Sequence, residues 1–241
     1  MNIALVGYGK MGKAIERIAS DRGHRISFKI DQEAAADIHK IHPGNTDVVI
    51  EFTGPDAVFR NLQVLLPSGV PVISGSTGWT DKLSEAQDIC RENDNAFLWA
   101  SNFSVGVNLF FELNRQLAKM MQGYQQYIPA VEEIHHTQKL DAPSGTAITL
   151  AEGIIAENPQ VKGWKLTNEQ NENDATMLSV TAIRQDPAPG THTVLYHSEI
   201  DDIEIRHTAH SRQGFALGAV IAAEFIQGKK GIFTMQDVLF G

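Results

Sequence analysis

The segment EEIHHTQKLDAPSGTA, residues 132–147, contains the residue types of a binding or catalytic site. Its adjacent histidines, His135 and His136, and its lysine, Lys139, precede a Pro-Ser-Gly-Thr run that opens an apolar helix. Free backbone N–H groups at a helix start attract anions, and histidine and lysine can donate protons or hold positive charge. We therefore predict that this segment binds a negatively charged ligand.

The helix start is the second part of this site. Pro143 and Ser144 suit the first positions of a helix, and Asp141 could also cap it. Gly145 and Thr146 are poor helix formers in a first turn, so capping does not explain them. Both residues offer backbone N–H groups to a carboxylate, and Thr146 also offers a hydroxyl.

The two histidines need not share one role. Alternate residues of a strand point to opposite faces, so His135 and His136 diverge unless the strand ends there, and one of them could be structural. A metal site is the main chemical alternative. Adjacent histidines lack the i, i+4 spacing of a helical zinc site, and the single cysteine, Cys90, is distant in sequence. We predict no metal.

The N-terminal apolar strand runs into GYGKMG at residues 7–12, a GxGxxG turn before a helix. Gly7 allows the tight turn, Gly9 lets the backbone approach a pyrophosphate, and Gly12 permits close packing of helix on strand. Asp31 closes the second strand about 20 residues later, where an acid can bond ribose hydroxyls. This pattern predicts NADH or NADPH as cofactor.

The residues around Asp31 bear on the choice between NADH and NADPH. Gln32 follows Asp31 and no arginine stands beside it to receive a 2′-phosphate, which favours NADH. Lys29 and Arg25 on the same strand leave NADPH open. Two later strand ends, FTGPD at 52–56 and SGSTGW at 74–79, carry small residues that leave space for a nicotinamide ribose, although ordinary glycine-rich turns explain them equally well.

Composition limits the class of protein. The chain has 241 residues, 42% hydrophobic and 20% charged, which is typical of one or two globular domains. A net charge of −9 argues against a nucleic-acid surface and requires cations to be concentrated locally at an anion site. One cysteine fits a cytoplasmic protein, and the N-terminus predicts neither a signal peptide nor a membrane span.

The order of elements predicts two domains. The first hundred residues alternate strands and helices, as in a parallel, doubly wound sheet. A mixed α+β domain follows, with an exposed loop at 158–177, and the chain ends in a helix to about residue 227 and a further short segment. The predicted strands are 2–7, 25–30, 47–53, 70–74, 96–100, 126–136, 178–185, 191–199 and 202–210. The predicted helices are 10–22, 55–67, 80–93, 107–121 and 145–157.

The segment 132–147 resembles the signature of the dihydrodipicolinate reductase family, and GYGKMG, EFTGPD, GSTGW, SNFSVGVN and SRQGFALGAV are similar to its other motifs in the same order. This resemblance implies a Rossmann domain at 1–105 and 212–241 and an inserted α+β substrate and tetramerisation domain at 106–211. It implies NAD(P)H-dependent reduction of a cyclic imine dicarboxylate in the diaminopimelate pathway, with hydride transfer to ring C4, by a homotetramer that binds neither nucleic acid nor membrane.

The resemblance also implies roles for single residues. His135 matches the general acid, Lys139 a catalytic and substrate-binding cation, and His136 and the Ser144–Thr146 segment the substrate site. The predicted substrate-binding residues are His136, Lys139, Ser144, Gly145 and Thr146. The predicted cofactor-binding residues are Gly7, Tyr8, Gly9, Lys10, Met11, Gly12, Asp31, Phe52, Thr53, Gly75, Ser76, Thr77, Ser101, Asn102 and Phe103.

Two other readings remain open from the residues themselves. An amino-acid dehydrogenase could share the nucleotide domain, but the pairing of His-His-Lys with Ser-Gly-Thr argues against it. A non-catalytic NADH sensor would need the glycine turn but not the cationic segment. Arg212 is a candidate hinge or substrate contact, with a solvated surface role equally open.

Overall fold

The computed structural model describes residues 1–167, 176–211 and 213–241. The chain forms two compact units, Met1–Val105 with Arg212–Gly241, and Gly106–Ser211. Arg212 itself, for which a hinge or substrate contact was predicted, lies outside the described residues. So does the stretch 168–175 of the predicted loop.

The first unit begins with alternating strands and helices, as predicted. Short apolar runs rich in Val and Ile form the strands, and amphipathic segments between them form the helices. In chain order these are β1 (Asn2–Val6), α1 (Lys10–Asp21), β2 (Arg25–Ile30), β3 (Val48–Glu51), α2 (Pro55–Leu65), β4 (Val72–Ser74), α3 (Leu83–Glu92) and β5 (Ala96–Trp99). Three short 3₁₀ turns, Ala35–Lys40, Leu66–Ser68 and Thr80–Lys82, complete this part.

The second unit follows, and the chain then returns to the first. The middle elements are α4 (Val105–Met121), β6 (Ile128–His135), α5 (Gly145–Glu157), β7 (Gly163–Leu166), β8 (Met177–Arg184), β9 (Thr191–His197) and β10 (Asp202–Thr208). The last elements are α6 (Gln213–Ile226), β11 (Gly231–Phe233) and α7 (Met235–Phe240). The prediction of a loop throughout 158–177 is wrong at β7, which pairs in parallel with β8 and so gains its stability from a neighbour distant in sequence.

The predicted doubly wound sheet is confirmed. Its strand order is β11-β5-β4-β3-β1-β2, and the paired strands are parallel. One face packs against α1, α6 and α7, and the other against α2 and α3. Because both faces are covered, strands such as β3 are buried along their whole length.

The second sheet is mixed, with the order β10-β9-β6-β8-β7. β6 is antiparallel to β9 and parallel to β8. Its core residues Val131, Val180, Val194 and Tyr196 come from one face, which packs with residues of α4 and α5. β6 and the start of α5 are therefore held together by a common core.

Candidate active site

A cleft of about 740 Å³ opens in the first unit at the carboxyl ends of β1, β2 and β3. The strand order reverses between β1 and β3, and open α/β sheets bind ligands at such a point. The volume lies within the usual range for ligand and cofactor sites. Its lining includes Gly7, Tyr8, Gly9, Asp31, Gln32, Glu33, Phe52, Thr53, Asp56 and Asn61.

The glycine turn forms one wall of this cleft. Gly7 has a φ of +96°, and a Cβ there would lie 2.2 Å from the carbonyl oxygen of Phe52, so no other residue fits. Gly9 is the N-cap of α1 and makes no side-chain cap, and the space where its Cβ would stand is open to 4 Å. The first turn of α1, which carries Lys10, Met11 and Gly12, can thus present backbone N–H groups to a phosphate.

Asp31 lies on the cleft wall just after β2. Its Oδ1 accepts hydrogen bonds from the backbone N–H groups of Glu33 and Ala34 at 3.0 Å each, which fixes the carboxylate in place. Glu33 and Asp56 line the same cleft, and its lining contains no lysine or arginine. Acidic groups in this position suit ribose hydroxyls better than a 2′-phosphate.

Lys29, which could have bound the 2′-phosphate of NADPH, forms an ion pair within the protein. Its Nζ lies 2.6 Å from Glu16 Oε1 and 5.2 Å from the centre of the Tyr8 ring. Tyr8 also donates a hydrogen bond to Glu16. The three side chains form a cluster along α1 and β2, so the positive charge of Lys29 is offset by Glu16.

A buried glutamate joins the ends of β3 and β4. Glu51 accepts hydrogen bonds from the backbone N–H of Thr53 at 2.9 Å, from Ser74 Oγ at 2.6 Å and from Ser76 Oγ at 3.1 Å, and also from the Thr53 hydroxyl. Burial raises the pKa of the Glu51 carboxyl, and these hydrogen bonds act against that rise. The hydroxyls of two predicted cofactor residues, Thr53 and Ser76, are thus used to fix the strand ends.

The other predicted cofactor residues follow β4 and β5 at the same sheet edge, outside the lining of the cleft. Phe103 is 2% exposed and its ring centre lies 5.6 Å from that of Phe52, so its side chain packs in the core. Asn102 Oδ1 accepts a hydrogen bond from the backbone N–H of Ser104 at 2.9 Å. The residues in this group are Gly75, Ser76, Thr77, Ser101, Asn102 and Phe103.

The second unit carries the histidine segment on β6, which ends at His135. Val131, Glu133 and His135 alternate along the strand and are all buried on the face that packs with the helices. His136 has left the strand, and its backbone N–H donates to the carbonyl of Ala188 at 2.9 Å. The strand end therefore separates a buried histidine from a half-buried one.

Lys139 and the start of α5 lie on the same segment. Lys139 Nζ lies 2.8 Å from each carboxylate oxygen of Asp141, and that ion pair lowers the pKa of Asp141. Ser144 is the N-cap of α5, accepting from the backbone N–H of Ala147 at 3.3 Å. The prediction that Asp141 caps this helix is wrong, because its carboxylate pairs with Lys139. Gly145 and Thr146 form the first turn of α5.

Three residues without a predicted role complete the cluster: Glu133, Arg184 and His192. Glu133 Oε1 accepts from the backbone N–H of Ser144 and from Arg184 Nη2, both at 3.0 Å. Arg184 also donates to the carbonyls of Lys139 at 3.3 Å and Asp141 at 2.5 Å. One partly buried ion pair thus holds together β6, the start of α5 and the loop between them that carries Lys139, here called the lysine loop.

Histidines surround the second oxygen of this carboxylate. Glu133 Oε2 lies 3.2 Å from His135 Nδ1 and 3.6 Å from His192 Nε2. Burial alone would raise the pKa of Glu133, but the nearby imidazoles of His135 and His192, together with the hydrogen bonds from Ser144 and Arg184, outweigh it and hold that pKa below its usual range. Burial lowers the pKa of His192. The carboxylate is therefore ionised and His192 is neutral at neutral pH.

Ligand atoms of Glu133, His135 and His192 lie within 4.8 Å of one another, a spacing that a metal site could also have. However, the guanidinium of Arg184 already balances the Glu133 charge at 3.0 Å and would repel a divalent cation. We therefore assign the cluster to charge pairing.

Across the described residues, no helix combines the length and apolar character needed to cross a bilayer.

Two family profiles match nearly the whole chain. The profile described as Dihydrodipicolinate reductase, N-terminus, matches residues 1–103, and the profile for the C-terminus of the same family matches residues 106–239. The 4-hydroxy-tetrahydrodipicolinate reductase of Christiangramia forsetii is 54% identical over 239 residues, covering 99% of this chain and 98% of that protein. The reductase of the same name from Ralstonia pickettii is 35% identical and covers 95% and 89%.

Solved structures share the fold. A dipicolinate-bound dihydrodipicolinate reductase from Paenisporosarcina sp. TG-14 has a TM-score of 0.74 at 21% identity and covers 98% of each chain. An amine dehydrogenase from Mycobacterium smegmatis has a TM-score of 0.60 at 8% identity, covering 98% of this chain and 95% of that one. At such identities these likenesses concern the fold alone.

Proposed function

The chain belongs to the dihydrodipicolinate reductase family, and we propose that it reduces 4-hydroxy-tetrahydrodipicolinate (dihydrodipicolinate) to tetrahydrodipicolinate in the diaminopimelate pathway of lysine biosynthesis. Membership makes it an oxidoreductase and implies a nicotinamide cofactor. One observation carries the proposal: His135, Lys139 and the first turn of α5 are joined through the partly buried ion pair of Glu133 with Arg184. That arrangement suits a small dicarboxylate.

Several groups of this cluster can bind the carboxylates of the substrate. Lys139 offers a point charge, and Gly145 and Thr146 offer the backbone N–H groups of a helix start together with a hydroxyl. His136, the first residue after β6, is a further hydrogen-bond donor. In the free enzyme Asp141 holds Lys139, so a substrate carboxylate has to replace Asp141 as the partner of Lys139.

The 4-hydroxy compound first loses its C4 hydroxyl as water to give the conjugated imine, dihydrodipicolinate, and the reduction of that imine then requires a hydride and a proton. When bound, the nicotinamide supplies the hydride to ring C4 of the conjugated imine. His135 donates the proton to the ring framework as negative charge builds there. Lys139 stabilises the same developing charge as a nearby cation. The burial of His135, whose side chain is 10% exposed, limits the access of water to the imidazole.

The residues of the first unit fit the cofactor. The Gly7 turn leaves no room for a Cβ, the space beside Gly9 is open, and the start of α1 lacks a side-chain cap. Gly7 to Gly12 would hold the pyrophosphate and Asp31 the adenosine ribose. Phe52, Thr53, Gly75, Ser76 and Thr77, with Ser101, Asn102 and Phe103, would form the wall towards the nicotinamide.

NADH is the favoured cofactor, because Asp31 and Glu33 would repel a 2′-phosphate and Lys29 is paired with Glu16. We expect Asp31→Asn to raise the KM for NADH about tenfold, since it removes a charge-assisted bond to a ribose hydroxyl but keeps an oxygen for the turn. The KM for NADPH should stay the same or fall. Initial rates with both cofactors check this.

Asp37→Asn is the matched control for this variant, because Asp37 pairs with the exposed Lys40 and does not line the cleft. It should leave both KM values within about twofold. If the ratio of the KM values for NADH and NADPH is the same in Asp31→Asn as in the unaltered protein, Asp31 does not bind the ribose.

A homotetramer is part of the proposal, and the face of the second sheet that is turned away from its core with α4 and α5 supports it. Residues of opposite parity to the core, Ala130, Ile134, Ile183 and Leu195, are half-buried on this open face. The core between the sheet and α4 and α5 takes its strand residues from the other face. The polar residues Glu132, Ser179, Thr181 and Thr193 lie on the same face, and a half-buried sheet face that mixes apolar and polar groups can form a self-complementary interface.

Leu195→Asp should break the tetramer into smaller species, because it places a charge in the middle of the open face. Sedimentation velocity measures the assembly. Met120→Asp is the control, since Met120 is 64% exposed on α4 and should tolerate the charge. A Leu195→Asp protein with the mass of four chains would exclude this face as the interface. If the unaltered protein sediments with a mass other than that of four chains, the tetramer is excluded.

A cytoplasmic location also belongs to the proposal, supported by the single buried cysteine, Cys90, which fits a reducing compartment.

The reductase activity is tested by the loss of NADH or NADPH absorbance when the protein is added to substrate freshly made from pyruvate and aspartate semialdehyde by a synthase. Rapid oxidation that depends on this substrate is the expected result. Tight NADH binding without oxidation would instead favour another dehydrogenase or a non-catalytic sensor.

A further inference from the structure

Glu133 lies on β6, two residues before His135. Residues two apart on a strand share a face, so the carboxylate and the imidazole lie side by side. Glu133 is 0% exposed and His135 is 8% exposed. A fully buried carboxylate beside a reacting histidine needs a physical reason, because burying a charge is costly unless it is paired.

The two oxygens of Glu133 differ in their surroundings. Oε1 is satisfied by Arg184 and by the backbone N–H of Ser144. Oε2 has no fully formed hydrogen bond among the described residues, and neither has His135 Nδ1, yet the two buried atoms lie 3.2 Å apart. Buried polar atoms this close to each other normally share a proton. The carboxylate is ionised, so the proton belongs to the imidazole.

We propose that Glu133 is the positioning residue of His135: its Oε2 accepts the Nδ1–H of His135 and thereby leaves Nε2 to release the proton to the substrate. The inference rests on the proposed role of His135 as proton donor. A carboxylate paired with an imidazole in this way fixes its tautomer and orientation and stabilises its protonated form. Proton transfer itself stays with His135.

The far side of the imidazole agrees with this assignment. Gly190 lies beside it with a φ of +150°, and a Cβ at that position would stand 3.0 Å from His135 Nε2. A side chain there would crowd the nitrogen that has to reach the substrate. Glycine therefore leaves space at Nε2 while Glu133 occupies the side of Nδ1.

The other charged and titratable groups around the pair leave Oε2 to His135. Arg184, from β8, is committed to Glu133 Oε1 and to the carbonyls of the lysine loop. His192, from β9, is neutral and has Ser144 Oγ at 3.1 Å. The remaining groups that face this cluster are Lys139, which pairs with Asp141, and His207 of β10, whose pKa is lowered by burial.

The tautomer of His135 can be measured in the unaltered protein. We would label histidine with ¹⁵N, assign the His135 signals by their loss in His135→Ala, and follow both ring nitrogens over pH. Neutral His135 should carry its proton on Nδ1. A proton on Nε2 would overturn the proposal. This measurement involves no catalysis, so it is independent of whether the reductase activity is found.

Kinetics provide the second test, with Glu133→Gln as the variant. It keeps the shape of the side chain and removes the charge. We expect kcat to fall about 10- to 100-fold with KM within about threefold. The dependence of kcat/KM on pH should also change, because the imidazole loses the carboxylate beside it. In a His135→Ala background the same change should have no further effect.

Glu152→Gln is the control, because Glu152 is an exposed carboxylate on α5 of the same unit and belongs neither to the cluster around His135 nor to the open sheet face. Its kcat and pH profile should equal those of the unaltered protein. Circular dichroism and NADH binding report whether each variant is folded. A folded Glu133→Gln protein with unchanged kcat and pH profile would overturn the proposal. If that variant does not fold, the tautomer measurement decides alone.

Discussion

Replacing His135 with alanine is expected to lower kcat by about 100-fold or more, because the proton donor is lost while the hydride donor and the binding groups remain. The KM values should change little. The free energy of unfolding should fall by about 1–3 kcal/mol, since Glu133 Oε2 then loses the imidazole that lies 3.2 Å away. Steady-state kinetics and thermal unfolding measure the two effects.

His39→Ala is the control for this variant, because His39 is exposed in the first unit and does not line the cleft. It should retain normal turnover. Near-normal turnover in His135→Ala would remove His135 from the mechanism, and the neighbouring His136 would then be the next residue to test.

Replacing Lys139 with alanine is expected to lower kcat/KM by about 100-fold, which corresponds to about 2.7 kcal/mol of transition-state stabilisation. Lys139 is the cation of the segment, and its side chain is only 23% exposed, so water does not screen it fully. Losing it removes the partner of a substrate carboxylate and of the developing charge. Both kcat and KM should therefore change.

Lys162→Ala tests whether the loss of any lysine from the second unit has this effect, because Lys162 is exposed and lies beyond α5. It should leave kcat/KM within about twofold. Unaltered kcat/KM in Lys139→Ala would contradict the proposed role. Asp141 would then be the natural partner of Lys139 for stability alone.

Much of the first unit could be predicted from local sequence. Apolar runs of strand length alternate with amphipathic helices, and this alternation fixes a parallel, doubly wound sheet. The Gly7–Gly12 turn and Asp31 could also be placed, because both follow a strand and parallel strands end at one edge. The hydrogen bonds of Thr53 and Ser76 to Glu51 could not be predicted from the sequence, because they join β3 and β4 through a buried side chain.

The second unit was less open to prediction. Strand β7 was assigned to a loop, because its four residues acquire a strand conformation only by pairing with β8. Asp141 looked like a helix cap, because a cap and an ion-pair partner use the same residue types just before a helix. Only the placement of Lys139 beside it distinguishes the two roles.

The sequence by itself determined which groups could do chemistry here: the glycine turn, the acid after β2, the histidines at a strand end, and the lysine before a helix start. These follow from local rules of strand alternation and helix capping. The tertiary structure alone decided what surrounds His135. Parallel pairing of β6 with β8 sets Arg184 beside it, and antiparallel pairing of β6 with β9 sets His192 opposite Glu133. Strand register across about fifty residues depends on the packing of the whole sheet, so no local pattern reveals it.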